Sequence, residues 1–240
     1  MPQHIVALGG GGFSMEPDNL ALDKYILDLT GKERPKVCFL PQASAETDSY
    51  ILRFYEAFVE LDAKPSWLSL FYSVPDNFAE KLLEQDVIYV SGGNTKTMLA
   101  IWREWGVGKI LKQALENGTI LCGISAGAIC WFETCVTDSV KPLGTIEGLG
   151  FLKGCASPHY HGEADRRPKI FDLVKKGSVE SCLAIDDSTA VHFIDGEIHK
   201  VVTSQEGVGA FDVRLKEHEV NEEMYASQLL EPVTVNRILR

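Results

Sequence analysis

The segment GTILCGISAGAICWF at 118–132 sets Ser125 between Gly123 and Gly127, with apolar runs on either side. A serine hydroxyl is a weak nucleophile until a base takes its proton and donors stabilise the oxyanion its attack creates. The flanking runs place Ser125 at a strand-to-helix junction. Small neighbours permit a sharp, strained turn there, with the hydroxyl projecting above the C-terminal edge of a sheet. The N–H of Ala126, at the start of the helix, is then a candidate oxyanion donor. A glycine-rich turn with a helix-capping serine is the plain structural alternative. A second loop, SGGNT at 91–95, ends the preceding strand in the same way. In a parallel sheet it lies beside the Ser125 turn, so Gly92 or Gly93 can offer a second amide while Asn94 or Thr95 caps the next helix.

The base must be a histidine. His4 begins a strand, His192 and His199 lie in or near a hairpin, and His218 sits among charges in KEHE. SPHYHGE at 157–163 offers His159 and His161, and Pro158 favours an extended, fixed backbone before His159. Two histidines so spaced could also ligate a metal with Glu163 or Asp165, but no wider ligand cluster accompanies them, and no metal is expected. For the acid that orients the imidazole, Asp186 and Asp187 emerge from the apolar run CLAI, and Asp138 is a rival. Residue types alone do not choose. The run GGGG at 9–12 lacks a G-x-G-x-x-G helix start and an acidic residue ending the second strand. It reads as a flexible loop bordering the cleft, and no cofactor is expected.

These groups need a scaffold. Apolar strand-length runs at 4–9, 36–41, 66–71, 86–93 and 119–125 alternate with amphipathic helical segments at 18–31, 49–61, 94–105 and 107–118. Strands apolar on both faces, alternating with helices, predict an α/β fold: a doubly wound, mostly parallel sheet with helices on both faces. The stretch 136–168, rich in Gly, Pro, His and Asp, reads as long loops. From 182 onward short strands surround an Asp195-Gly196 turn, giving a C-terminal β-hairpin region, with one more strand at 207–215. No linker or repeat interrupts the chain, so residues 1–240 are expected to form a single domain. A net charge of −11 without a basic stripe excludes a nucleic-acid surface. The six cysteines show no C-x-x-C spacing and read as buried thiols. No secretory signal or membrane span is evident, which makes the cytoplasm the expected location.

The motifs LPQAS (40–44), VSGGNT (90–95), GISAGA (123–128), SPH (157–159) and AIDDSTAV (184–191), in that order, resemble peptidase E and the cyanophycinase relatives. That serine-peptidase family has a class I glutamine amidotransferase-like, flavodoxin-like fold, and the resemblance spans roughly 4–200. It implies a Ser–His–acid triad in which Ser125 matches the nucleophile, His159 the base and Asp187 the acid, with Gly93 and Ala126 as oxyanion amides. The implied activity is dipeptidase-like hydrolysis of short peptides through an acyl-enzyme. In aspartyl dipeptidases of the family, GETR places an arginine against the substrate's acidic side chain. GEAD at 162–165 puts Asp165 there instead, with Arg166 and Arg167 following, so α-aspartyl preference is not expected to carry over. Asn94, Glu163, Asp165 and Arg166 are the candidate substrate-binding residues. The expected partners are a short peptide and, at most, a second copy of the chain in a homodimer. Two rivals remain: an esterase-like α/β hydrolase using His192, His199 or His218, and a non-catalytic binding protein on the same fold.

Overall fold

A computed structural model of the chain describes residues 1–72 and 74–234. Five parallel strands form its centre: β1 His4–Gly10, β2 Lys36–Leu40, β3 Lys64–Trp67, β4 Val87–Val90 and β5 Ile120–Ile124. Their alternate side chains fill two cores, as the period of two in a strand requires. On one face Val6, Leu8, Val37, Phe39, Tyr89 and Cys122 pack against α1 Gly12–Met15, α2 Ala21–Asp28 and α3 Asp48–Glu60. On the other, Ala7, Leu40, Ile88, Val90 and Leu121 meet α4 Phe78–Leu83, α5 Thr95–Trp105, α6 Val107–Glu116 and α7 Ala126–Ile129. The fold is thus α/β with helices on both faces of a mostly parallel sheet, as the strand–helix alternation predicts. Among the described residues no helix is long and apolar enough to cross a membrane.

The second half departs from expectation. A strand β6 Phe132–Thr137 runs into the stretch read as loops, which itself contains β7 Gly144–Glu147 and β8 Leu152–Ser157. After α8 Arg166–Lys175 come β9 Ser181–Ile185, β10 Thr189–Ile194, β11 Glu197–Thr203, β12 Ala210–Lys216, β13 Glu219–Met224 and β14 Ser227–Leu229. The expected hairpin is β10–β11, with Asp195 and Gly196 both at positive φ in its turn. It extends the central sheet, whose order is β14-β11-β10-β1-β5-β4-β2-β3. A separate six-stranded sheet, β13-β12-β9-β8-β6-β7, covers one end. One of its faces carries α8, through Ile170, Leu173 and Val174 against Cys155, Cys182 and Val213. The other contributes Phe132, Cys135, Leu152, Ala156 and Ile185 to the central core. The edge strand β3 also stops earlier than predicted. Beyond Trp67, the Leu70 N–H and the Ser69 hydroxyl bond the buried Glu46 carboxylate rather than a neighbouring strand. All six cysteines are buried and unpaired.

Histidines gather on the sheet away from Ser125. His192, in mid-β10, has its Nε2 2.9 Å from His4 Nδ1 and its Nδ1 2.8 Å from the Tyr25 hydroxyl, with the His199 ring alongside. Burial, reinforced by His4, His199 and Lys200, pushes the His192 imidazole from 6.5 to about 4. Its folded-state value lies below its unfolded one, so the stability present above pH 6.5 is lost as pH falls toward 4. A Tm–pH series is expected to decline across that window and to flatten in His192→Gln; parallel profiles would refute the assignment.

Candidate active site

Ser125 is forced into its conformation by its neighbours. Strand β5 ends at Ile124, the Ser125 N–H bonds Leu8 O at 2.9 Å, and α7 starts at the next residue. Between them Ser125 takes φ 54° and ψ −110°, a region that costs a non-glycine residue about 1–3 kcal/mol. The flanking glycines are steric necessities. A Cβ on Gly127 would lie 2.3 Å from Val90 O, and one on Gly123 would lie 2.5 Å from Gly127 O. The hydroxyl does not cap α7. It sits 2.8 Å from His159 Nε2 instead.

His159 follows the end of β8, also at positive φ (52°), and its Nδ1 lies 2.5 Å from Asp187 Oδ1. Asp187 lies where the chain leaves β9 for β10, crossing from the second sheet to the first. The carboxylate is walled in by two glycines. A Cβ on Gly10 would stand 1.9 Å from Asp187 Oδ1, and one on Gly162 would stand 2.3 Å from Oδ2. The GGGG run is therefore no free loop: Gly9 and Gly10 end β1, and Gly10 O accepts the Ser188 N–H at 3.1 Å. Asp186 points the other way, is buried, and accepts from the His161 ring at 2.8 Å and the Gly209 N–H at 3.0 Å. His161 is thus engaged away from Ser125.

The SGGNT loop lies beside the Ser125 turn. Gly93 has φ 132°, and a Cβ there would fall 2.2 Å from Ala43 O, which also accepts the Asn94 N–H at 2.7 Å. The Asn94 side chain caps α5 by accepting the Thr97 N–H at 2.8 Å. The Gly92 N–H points at the Tyr50 hydroxyl, 3.4 Å away. Ala126 opens α7, so its amide has no acceptor within the helix. The LPQAS stretch is what backs this loop: Gln42 bonds Trp102 on α5, Glu46 and Leu68 O, fixing Ala43 beneath Gly93.

A cleft of about 350 Å³ opens here, lined by Ser125 and His159, by Gly93, Asn94 and Ser139, and by Asp138, Lys141, Glu163 and Arg166. Arg166 is buried, with Nε 2.6 Å from Glu163 Oε2, Nη1 3.1 Å from Val136 O and Nη2 3.6 Å from Asp138. Asp165 lies outside the cleft, exposed at the N-cap of α8. Arg167 also turns away, forming two 2.9 Å bonds to Glu222. Of the other histidines, His192 and His199 stay in the cluster around Tyr25, and His218 lies in the β12–β13 turn. None joins Ser125. Among the described residues no group of three or more His, Cys, Asp or Glu could hold a metal. Sequence reasoning missed Gly10, Gly162, Ser139 and Lys141; for Gly10 the available signal was the glycine run at 9–12.

A serine hydroxyl facing an imidazole that faces a carboxylate, with backbone amides beside it, is an arrangement suited to acyl transfer in a serine hydrolase. Residues 5–201 match the model of Peptidase family S51, and the chain belongs to this family of serine peptidases. It is 50% identical over 220 residues to the uncharacterised peptidase YgaJ of Bacillus subtilis strain 168, covering 92% of this chain and 96% of that protein. Peptidase E of Pasteurella multocida strain Pm70 is 25% identical over 193 residues, 75% of this chain and 79% of that one. In fold the chain is similar to a peptidase from an acI-B1 Actinobacterium (TM-score 0.65, 17% identity, 98% of both chains). A peptidase E-type protein of Listeria monocytogenes EGD-e has TM-score 0.61 and 17% identity, with 90% of this chain and all of that chain covered.

The glycine wall around Asp187 makes a prediction. In Gly10→Ala the obstructing atom is the end of a side chain, and Gly10 has no positive φ, so the fold should survive while the carboxylate is displaced. The variant is expected to keep a Tm near the parent's and to lose at least about 100-fold in kcat for peptide hydrolysis. Parental kcat in the folded variant would show that the contact does not matter.

Proposed function

We propose that the chain, acting as one catalytic unit over residues 1–240, hydrolyses short peptides by acyl transfer at Ser125. The single observation that carries the reading is the continuous 2.8 Å and 2.5 Å relay from Ser125 Oγ through His159 to Asp187. In this mechanism the His159 Nδ1–H donates to the Asp187 carboxylate, which leaves Nε2 free to accept the serine proton. Ser125 Oγ attacks the scissile carbonyl carbon. The developing oxyanion is held by the amides of Gly93 and Ala126, in a site where fixed dipoles need no reorganisation. The imidazolium then protonates the leaving amine, the C–N bond breaks, and water resolves the acyl-enzyme by the same proton route in reverse.

The cleft argues for a small, polar substrate. About 350 Å³ accommodates a dipeptide-sized ligand, and among the described residues no large apolar side chain lines it. Its charges are balanced internally, with Asp138 and Glu163 beside Arg166 and Lys141. Two of the Arg166 donors are already taken by Glu163 and Val136 O, so the reading carries no preference for an N-terminal aspartyl residue. An esterase-type site built on His192, His199 or His218 finds no support, since none of them lies beside Ser125.

A dipeptide panel with aspartyl, isoaspartyl, glutamyl, basic and neutral N-terminal residues, run alongside fluorophosphonate labelling, tests the reading. Ser125→Ala is expected to abolish labelling, and Ser125→Ala and His159→Ala to lower kcat by about 10⁴-fold or more. Full hydrolysis by a folded His159→Ala would reject the triad, and no labelling of the intact protein would favour a binding role.

A further inference from the structure

One buried acid takes no part in the proposed chemistry. Asp23, on α2, is fully buried beneath the glycine run. Its Oδ2 accepts the Phe13 N–H at 2.6 Å, at the second residue of α1. A Cβ on Gly12 would sit 3.1 Å from both Asp23 oxygens, so the start of α1 is seated directly on the carboxylate. The buried Tyr89 hydroxyl is the polar side chain beside this carboxylate, but neither it nor Oδ1 forms a well-aligned hydrogen bond. From α1 the chain runs back two residues to Gly10, which abuts the Asp187 carboxylate, and to Gly11, where a Cβ would lie 2.9 Å from Ser188 Cα. Gly10 O, in turn, holds the Ser188 N–H.

We propose that Asp23 is a positioning residue for catalysis: its carboxylate anchors the start of α1 so that Gly10 and Gly11 hold Asp187 against His159. The proposal rests on the triad reading. Asp23 touches neither the cleft nor the triad, so its effect falls on kcat and not on KM. The ionised carboxylate makes the stronger, charge-assisted bond to the Phe13 amide, and protonation weakens that anchor. Burial is the main cause of a carboxyl pushed up to about 7, with Glu16 adding to it and the Phe13 amide and Tyr89 opposing. The other titratable groups facing it are Tyr50 on α3 and Cys122 on β5. A folded-state value above the unfolded one means stability is present at low pH and lost as pH rises through 7. At pH 8 the fold thus maintains an ionised Asp23 at the expense of stability.

Asp23→Asn keeps the shape and the acceptor but cannot ionise. At pH 8 its Tm is expected to be at least the parent's, and its kcat about five-fold lower at unchanged KM, with the two rates converging by about pH 6, where the parent's Asp23 is also neutral. A constant rate ratio from pH 6 to 8, or parental kcat at pH 8, would overturn the proposal. In the unmodified protein, a 13C NMR titration of the Asp23 carboxyl carbon is expected to give a midpoint of about 7; a midpoint below about 6 would overturn it independently of any variant. Asp187→Ala with parental activity would sink this proposal and the triad together, whereas a constant ratio beside an inactive Asp187→Ala would sink this one alone.

Discussion

The site depends on a backbone-to-backbone contact that leaves no room for a side chain. Where β5 ends, the Gly127 backbone lies against Val90 O and Gly123 lies against Gly127 O, so any Cβ at either position would overlap a carbonyl. That closeness turns the chain sharply enough to hold Ser125 at positive φ, with its hydroxyl directed at His159 instead of capping α7. Strain at one residue persists only where its surroundings over-determine it. Here the hydrogen bond from the Ser125 N–H to Leu8 O fixes one side, and those from the Ala128 and Ile129 N–H groups to Ser125 O fix the other. His159 and Ser188 are likewise at positive φ, so strained backbone accompanies each segment that meets at the site.

The second sheet explains how a histidine and an acid reach a serine that belongs to the first. Ser125, Gly93 and Gly10 stand at C-terminal ends of central strands or just beyond them, the usual place for sites on open α/β sheets. His159 and Asp187 come instead from the ends of β8 and β9, adjacent parallel strands of the smaller sheet. The chain then passes from Asp187 straight into β10, which pairs with β1. The site is a seam between two sheets, and its geometry is only as good as their packing. Phe132, Cys135, Ala156 and Ile185 provide that packing by extending the central core into the second sheet.

This seam marks the limit of what was legible in the sequence. The parallel core was readable because Val6, Leu8, Ile88 and Val90 lie in strands apolar on both faces, separated by amphipathic helices. The second sheet was not, because its strands carry weak signals. FETCVT mixes charge with burial, GTIE has four residues, and EVNEEM is almost wholly exposed. Ser125 and the loop at 91–95 stood out through glycines at strand ends. Choosing Asp187 over Asp186 needed the family resemblance. In the structure the distinction follows from strand alternation: successive residues leave β9 on opposite sides, one toward Gly209 and His161 and the other toward His159. Asp165 illustrates the converse. A motif position suggested a substrate contact, but the start of α8 turns it to solvent and brings Arg166 to the cleft.

Two buried carboxylates show how differently the fold treats acids. Glu46 receives the Gln42 side-chain amide at 3.1 Å, the Ser69 hydroxyl at 2.6 Å and the Leu70 N–H at 2.6 Å. Its oxygens are satisfied, and it holds together the loop that backs Gly93. Asp23, equally buried, receives one well-formed bond, from a backbone amide, and has only the poorly aligned Tyr89 hydroxyl besides. Leaving a buried acceptor unsatisfied costs about 1–3 kcal/mol, and more when it is charged. A chain able to surround Glu46 with three donors was not short of means to do so. What separates the two acids is what rests on them. Glu46 stabilises a loop whose shape is fixed on every side, while Asp23 seats the start of α1, from which a glycine run with no side chains of its own leads to the wall of the Asp187 carboxylate. A segment without side chains cannot lock itself by packing, so its position must be set by what its ends are tied to, and Asp23 is the tie at one of them.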